Sequence, residues 1–231
     1  MPVMIAGSSH AGANHVMNRG GKHNSPMPSR PLVACASVIL AFAFTSCRTP
    51  QPEPRITPYY PRCPDAIATQ GRAQVHELVS FFTETNRDID LERLNWIARI
   101  YIDEAAAEGI NHDIAFCQML HETNYLRFGG DVRPWQNNFC GLGATGGGEP
   151  GLSFPSVRIG IRAQIQHLKA YANSLPLRNA CVDPRFEKVV RGSAPCVSDL
   201  TDKWATDPLY GIHLNRKLRQ LEAHLRAAGP Q

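Results

Sequence analysis

Apolar residues recur at helical spacing along most of the chain beyond residue 70. Val75, Leu78, Val79 and Phe82 follow i, i+3, i+4, i+7 spacing. Leu91, Leu94, Ile97, Ala98, Tyr101 and Ile102 do the same, in a helix expected to stop near Gly109. Asn111 is a suitable N-cap for the next helix, Ile114-Ala115-Phe116-Cys117-Gln118-Met119-Leu120-His121-Glu122. That run is almost wholly apolar. It is too apolar for a surface helix and too short to span a membrane, so it reads as a core helix. Ser156 opens a helix with Ile161, Ile165, Leu168 and Ala172 inward, stopping before Pro176. Short helices are expected near 184–191 and 197–204, and a last one over about 208–226, with Leu214, Leu218, Leu221 and Leu225 on one face.

Residues 129–155 break this pattern. Gly129, Gly130, Gly141, Gly143, Gly146, Gly147, Gly148 and Gly151 alternate there with Pro134, Pro150 and Pro155, which is loop or hairpin chemistry. The fold class expected is α+β, predominantly α. A glycine-rich lobe follows the Glu122 helix, forms one wall of a cleft and leaves Glu122 at its floor.

The N-terminal part has a different character. After Arg30, the stretch from Leu32 to Phe44 is apolar, and Thr45-Ser46-Cys47 closes it. A basic residue, a short apolar core and small residues make a secretory signal. It opens more naturally at Met17 or Met27 than at Met1. The end of the stretch resembles a bacterial lipoprotein box, which implies lipid attachment at Cys47. Residues 1–47 are thus read as a signal segment. Residues 48–64 hold Pro50, Pro52, Pro54, Pro58, Pro61 and Pro64. They suit a polyproline tether reaching up to about 50 Å. Residues 65–231 are left as one domain with one core.

This division changes the charge argument. The net charge is +4, but Arg19, Lys22 and Arg30 precede Cys47 with no acid among them. Without those three of the 24 basic residues, the 20 acidic ones leave the rest at +1. Nucleic acid is therefore not an expected partner. Five cysteines lie beyond Cys47: Cys63, Cys117, Cys140, Cys181 and Cys196. Their spacing fits no metal site. Cys181 and Cys196 flank a short Pro-containing segment and are the expected disulfide, with Cys117–Cys140 a weaker second pair.

Glu122 carries the candidate chemistry. Burial opposes its charge, and so does the negative end of the helix dipole. Both raise its pKa, which is what a general acid requires. Rival motifs fail. Gly141-Leu142-Gly143-Ala144-Thr145-Gly146 matches GxGxxG, but no strand precedes it and Pro150 follows where a helix should open. His121-Glu122 lacks the second zinc-binding His, since Tyr125 stands there. No GxSxG elbow occurs. No cofactor or metal is expected. Flat rings suit sugar faces, and Trp135, Phe154 and Tyr171 are the aromatic candidates for substrate binding, although periodicity does not sort contact rings from core rings.

Several blocks, in order, resemble the bacterial peptidoglycan endo-β-N-acetylglucosaminidases of glycoside hydrolase family 73. They are His121-Glu122-Thr123-Asn124, Phe128-Gly129-Gly130-Asp131-Val132, the stretch from Gln136 to Gly146, the stretch from Ser153 to Tyr171, and Trp204-Ala205-Thr206-Asp207-Pro208-Leu209-Tyr210. The resemblance covers about 91–226. It implies a lysozyme-like fold and cleavage of the β-1,4 bond after N-acetylglucosamine in glycan strands. It aligns Glu122 with the general acid and Tyr210 with an active-site tyrosine, and places Asn138 and Gly141 in the block lining the cleft. Cys140 departs from the small residue usual there. A second carboxylate is not obvious. Asp131 and Glu149 are candidates for a base, Glu149 preferred, and the substrate's acetamido group is the alternative. The expectation is an exported, membrane-anchored enzyme acting on peptidoglycan. The rivals are a lytic transglycosylase and a catalytically silent wall-binding module. Oligomeric state is open.

Overall fold

A computed structural model describes residues 63–229. The signal segment, Cys47 and residues 48–62 of the tether lie outside them. Five helices form in the order expected: α1 (Val75–Thr83), α2 (Leu91–Glu108), α3 (His112–Glu122), α4 (Val157–Ala172) and α5 (Tyr210–Ala228). The two short helices expected near 184 and 197 are single 3-10 turns, Phe186–Lys188 and Val197–Leu200. A third 3-10 turn spans Pro134–Gln136. The fold is predominantly helical. Among the described residues the extended part is limited to isolated bridges, one of which, Gly146 to Glu149, is all that forms of a hairpin in the glycine-rich lobe.

The helix ends follow from local chemistry. The Asp90 carboxylate accepts the Glu92 and Arg93 amides and opens α2. Gly109, at φ 72°, closes it in the left-handed conformation that glycine takes without cost. Asn111 caps α3 by accepting from the Asp113 and Ile114 amides, and Ser156 caps α4 through Ile159. Both caps are where the sequence places them.

α3 is the axis of the domain. Every residue from His112 to Leu120 is buried, so it has no solvent face, and α2, α4 and α5 pack around it. The main core joins Leu94, Ile97 and Tyr101 of α2, Phe116 and Leu120 of α3, Ile161 and Leu168 of α4, and Leu214 and Leu221 of α5. A smaller cluster of Cys140, Leu142, Phe154 and Ala163 fastens the glycine-rich lobe onto α4.

Two buried acids of α2 bind α4. Glu104 accepts from Arg158 and Arg162, each at 2.7 Å. Glu108 accepts from Lys169 at 2.7 Å and from the Arg178 and Asn179 amides. Burial opposes both charges. The hydrogen bonds outweigh it, led by Arg162 for Glu104 and by Lys169 for Glu108, and hold both carboxyls below their usual range. Such pairs fix register between helices more than they add net stability.

The cysteine pairing departs from expectation. Cys196 is bonded to Cys63, not to Cys181. The reason lies in the backbone. Residues 65–67 run antiparallel to 195–197, with the Ile67 amide on the Pro195 carbonyl at 2.9 Å and the Val197 amide on the Asp65 carbonyl at 3.2 Å. That pairing sets Cys63 beside Cys196, 5.7 Å apart at Cα. Cys181 is exposed and free. Its neighbours Val182 and Asp183 are drawn instead toward α4, where their amides bond Gln166. Cys117 and Cys140 are free and buried rather than paired.

Non-reducing peptide mapping of the exported protein is expected to recover Cys63 joined to Cys196, with Cys181 open to alkylation. On the chain-entropy argument, closing so long a loop contributes about 5 kcal/mol. Recovery of a Cys181–Cys196 peptide would overturn this pairing.

Candidate active site

Glu122 is the last residue of α3, and the chain turns away directly behind it. Thr123 Oγ1 donates to the Met119 carbonyl at 2.7 Å and accepts the Leu126 amide at 2.9 Å. Asn124, Tyr125 and Leu126 then take φ of 48°, 56° and 59°. Three successive non-glycine residues in the left-handed region cost roughly 1–2 kcal/mol each. The Asn86 side chain, on the Tyr125 carbonyl at 2.9 Å, helps hold the turn. By ending the helix there, the turn leaves no further helical turn to cover the Glu122 carboxyl.

Three segments converge on that carboxyl. Tyr210, the first residue of α5, is buried and donates its hydroxyl to Glu122 Oε1 at 2.6 Å. The Trp204 indole N–H also supports the carboxylate. Gly141 lies against the other oxygen, since a Cβ at that position would stand 3.5 Å from Oε2. Gly141 is at φ 70°, which disfavours a side chain there in any case. Burial raises the Glu122 pKa to about 7, and the donors Tyr210 and Trp204 restrain the rise. The carboxyl is therefore partly protonated at neutral pH and able to give a proton to a ligand. Burial, followed by the nearby Glu122 charge, pushes the Tyr210 phenol well above its ordinary range, so it remains a donor.

Trp204 has its own support. Its ring meets the His167 ring at 5.0 Å and lies 6.0 Å from Tyr171, whose hydroxyl donates to the Lys203 carbonyl at 2.6 Å. His167 Nδ1 is 2.7 Å from the buried Asp183 carboxylate. Tyr171, expected as a sugar platform, thus has its hydroxyl committed to the segment that carries Trp204. Phe154 is likewise no platform: it is 7 % exposed, in the small core beneath the lobe. Trp135 is the ring that does face solvent, 77 % exposed on the Pro134–Gln136 turn.

Asn138 also proves to be a bracket and not a free contact. It is buried, its amide donates to the Leu142 and Leu152 carbonyls, and its oxygen accepts the Leu142 amide. This fixes the loop that presents Gly141. Gln136 ties the same loop to Pro150 and Leu152. The two carboxylates of the lobe lie elsewhere. Asp131 accepts the Gly148 amide at 3.2 Å, and Glu149 is exposed beside it in the glycine turn. Neither is hydrogen-bonded to Glu122. Cys140 is buried within reach of the Glu122 charge, and desolvation pushes its thiol well up, so it is not a nucleophile.

Residues 98–223 match the glucosaminidase family, described as mannosyl-glycoprotein endo-beta-N-acetylglucosaminidase. The chain belongs to this family. Membership makes it a glycoside hydrolase and supports peptidoglycan as its substrate. A protein of Borreliella burgdorferi (strain ATCC 35210 / DSM 4680 / CIP 102532 / B31), carried there as an uncharacterized protein, is 46% identical over 155 residues, which is 67% of this chain and 76% of that one. No solved structure matches the chain. In this glucosaminidase the matched region holds all of α3 and α4 and the start of α5, and so every segment that meets at Glu122.

Sequence reasoning missed Trp204 as a partner of Glu122, and with it the buried polar residues Gln118, Gln164 and Tyr101 that stand behind Tyr210. Gln118 was the readable signal, as an amide in the middle of an otherwise apolar run.

Titration of the Glu122 carboxyl by carbon NMR is expected to centre near pH 7. Trp204→Phe removes a donor that favours the charged form, so the midpoint should move upward. A midpoint in the ordinary glutamate range, near 4.3, would show that burial does not govern this group.

Proposed function

We propose that this glucosaminidase cleaves the β-1,4 bond after N-acetylglucosamine in peptidoglycan strands, with Glu122 as the general acid. The supporting observation is the Glu122 carboxyl itself, half-buried, gripped from one side by Tyr210 and raised to about 7. Cleavage needs a proton on the leaving glycosidic oxygen as the bond to the anomeric carbon breaks. A carboxyl near its pKa at the working pH supplies one and takes another back from water. Above pH 7 the acid form is depleted, so activity is expected to fall there.

The attacking side is less constrained. Glu149 is the preferred base, since it stands exposed on the glycine turn, and Asp131 is fastened to the same turn through Gly148. Glu122 has donors around it and, among the described residues, no carboxylate bonded to it. That observation favours a second reading, in which the substrate's own acetamido group assists. It also keeps the lytic transglycosylase as the enzymatic rival, in which the muramic acid 6-hydroxyl attacks instead of water. Trp135 is proposed as an exposed stacking surface for a sugar along the cleft.

Glu122→Gln keeps the shape and removes the proton. Its activity on purified sacculi is expected to drop by at least about 10²-fold with folding intact. The wild-type products should end in a reducing N-acetylglucosamine. Digestion by the variant at the wild-type rate would remove Glu122 from this role, and 1,6-anhydro-muramic ends would decide for the transglycosylase.

We further propose export and anchoring through Cys47. The signal pattern supports it, and so does the Cys63–Cys196 disulfide, a bond that persists in oxidising compartments. Labelling with a fatty-acid analogue should mark the wild type and not Cys47→Ser. Label retained by that variant would refute the anchor.

A further inference from the structure

A continuous chain of buried side chains runs from α2 through α4 and α3 to the carboxyl. The Tyr101 hydroxyl donates to Gln164 Oε1 at 2.6 Å. Gln164 Nε2 lies 3.0 Å from the Ala115 carbonyl and 2.9 Å from Gln118 Oε1. Gln118 Nε2 lies 2.9 Å from the Tyr210 oxygen, and Tyr210 reaches Glu122 Oε1. Both glutamines are fully buried, as is Tyr101, and each finds its partners within the protein.

The direction of this chain follows from one group. A backbone carbonyl only accepts, so the Gln164 atom facing Ala115 must be its nitrogen. The Gln118 atom facing that nitrogen must then be its oxygen. Its own nitrogen is thereby turned onto Tyr210 and donates to the phenol. A phenol oxygen has two in-plane positions, one for its hydrogen and one for a lone pair. With the lone pair taken by Gln118, the hydrogen is directed at Glu122. Trp204, the other partner of the carboxyl, is a donor with no acceptor atom. Both protein partners of Glu122 are therefore donors, and neither can accept its proton.

We propose that Gln118 and Gln164 are positioning residues whose fixed orientation bars Tyr210 from accepting the Glu122 proton, leaving that proton on Oε2, beside Gly141, for the substrate. The inference rests on Glu122 being the acid. Without Gln118, the Tyr210 hydroxyl can rotate its hydrogen toward the vacated Gln118 position, which turns a lone pair to Glu122, and a protonated Glu122 can then donate to it from Oε1. The acid form is then held in an internal hydrogen bond. It becomes both more stable and less able to donate outward.

Two effects of opposite sense follow. Turnover falls, while the Glu122 titration and the alkaline limb of the pH profile move upward. Simple loosening of the fold would lower activity without that upward shift. The groups that face Glu122 are accounted for: Tyr210 from α5, Trp204 from the segment before it, and Cys140 from the lobe, whose thiol stays neutral. His121, next along α3, has its pKa lowered by burial, with Lys217 and His213 adding to this and Asp207 opposing it, so its charged form is disfavoured.

The test is Gln118→Met, close in size to glutamine and without its polar atoms, with Gln164→Met as a second variant that frees the Gln118 amide to turn. Gln118→Met should lower kcat about tenfold with KM within about twofold. Its Glu122 titration, read by carbon NMR, should rise by about half a pH unit or more. Gln164→Met should show the same sense of change at smaller size. In a Tyr210→Phe background, Gln118→Met should no longer move the titration, because the acceptor is gone. An unmoved or lowered Glu122 midpoint in folded Gln118→Met and Gln164→Met would overturn the proposal. The NMR reading does not depend on activity, so it is separate from the Glu122→Gln test. An inactive Glu122→Gln with an unmoved midpoint sinks this inference alone, whereas an active Glu122→Gln sinks the assignment of the acid.

Discussion

The hydrogen bond from Tyr210 to Glu122 joins residues 88 positions apart, and the domain is arranged so that this contact forms within the protein interior. A carboxyl partly withdrawn from water is costly unless donors meet it. Here the donors come from the first residue of α5 and from the segment before it, and they only moderate the effect of burial. The outcome, a group poised near neutral pH, is a balance between desolvation on one side and the Tyr210 hydrogen bond with the nearby Trp204 N–H on the other. Moving α5 by a fraction of the 2.6 Å separation would upset that balance, which is why α3 has to be held on every side.

The holding is done with unlike means on unlike faces. Between α2 and α4 it is charge: Glu104 and Glu108 meet Arg158, Arg162 and Lys169 in pairs that have few alternative partners. Between α3 and α5 it is apolar packing, with Leu214 and Leu221 fully buried. The close approach of α4 to the lobe needs a missing side chain, because a Cβ at Gly160 would fall on the Asn137 carbonyl. Charged pairs set the register of the helices, and the glycine lets the loop carrying Gly141 come down onto them.

Much of this was legible before any coordinates. The periodic apolar positions located all five helices, and Asn111 and Ser156 marked two of their starts. Glu122 stood out as an acid at the end of an apolar run, but a helix-end Glu turned to water explains that residue alone equally simply, and it was the surrounding blocks that singled it out. What stayed hidden depends on contacts distant in sequence. Gln118 and Gln164 are 46 residues apart, and nothing local tells that their amides meet. Phe154 and Tyr171 are rings in suitable blocks, but whether a ring faces sugar or core is decided by what packs on it. Cys196 has a nearby and a remote candidate, and the remote one won because the 65–67 segment returns to lie along 195–197. The left-handed turn after Glu122 contains no glycine to announce it.

The Cys63–Cys196 bond has a mechanical meaning as well. Tension entering at Cys63 and leaving through α5 does not travel along the chain between them. It crosses the disulfide and runs from Cys196 onward. Residues 64–195, with α3 and the whole glycine-rich lobe, form a closed covalent loop that lies off that covalent path. The loaded part is the segment bearing Trp204 and Tyr210, the two donors to Glu122. The acid and its two donors thus stand on different sides of the covalent path between Cys63 and the end of α5, and the disulfide decides which side each is on.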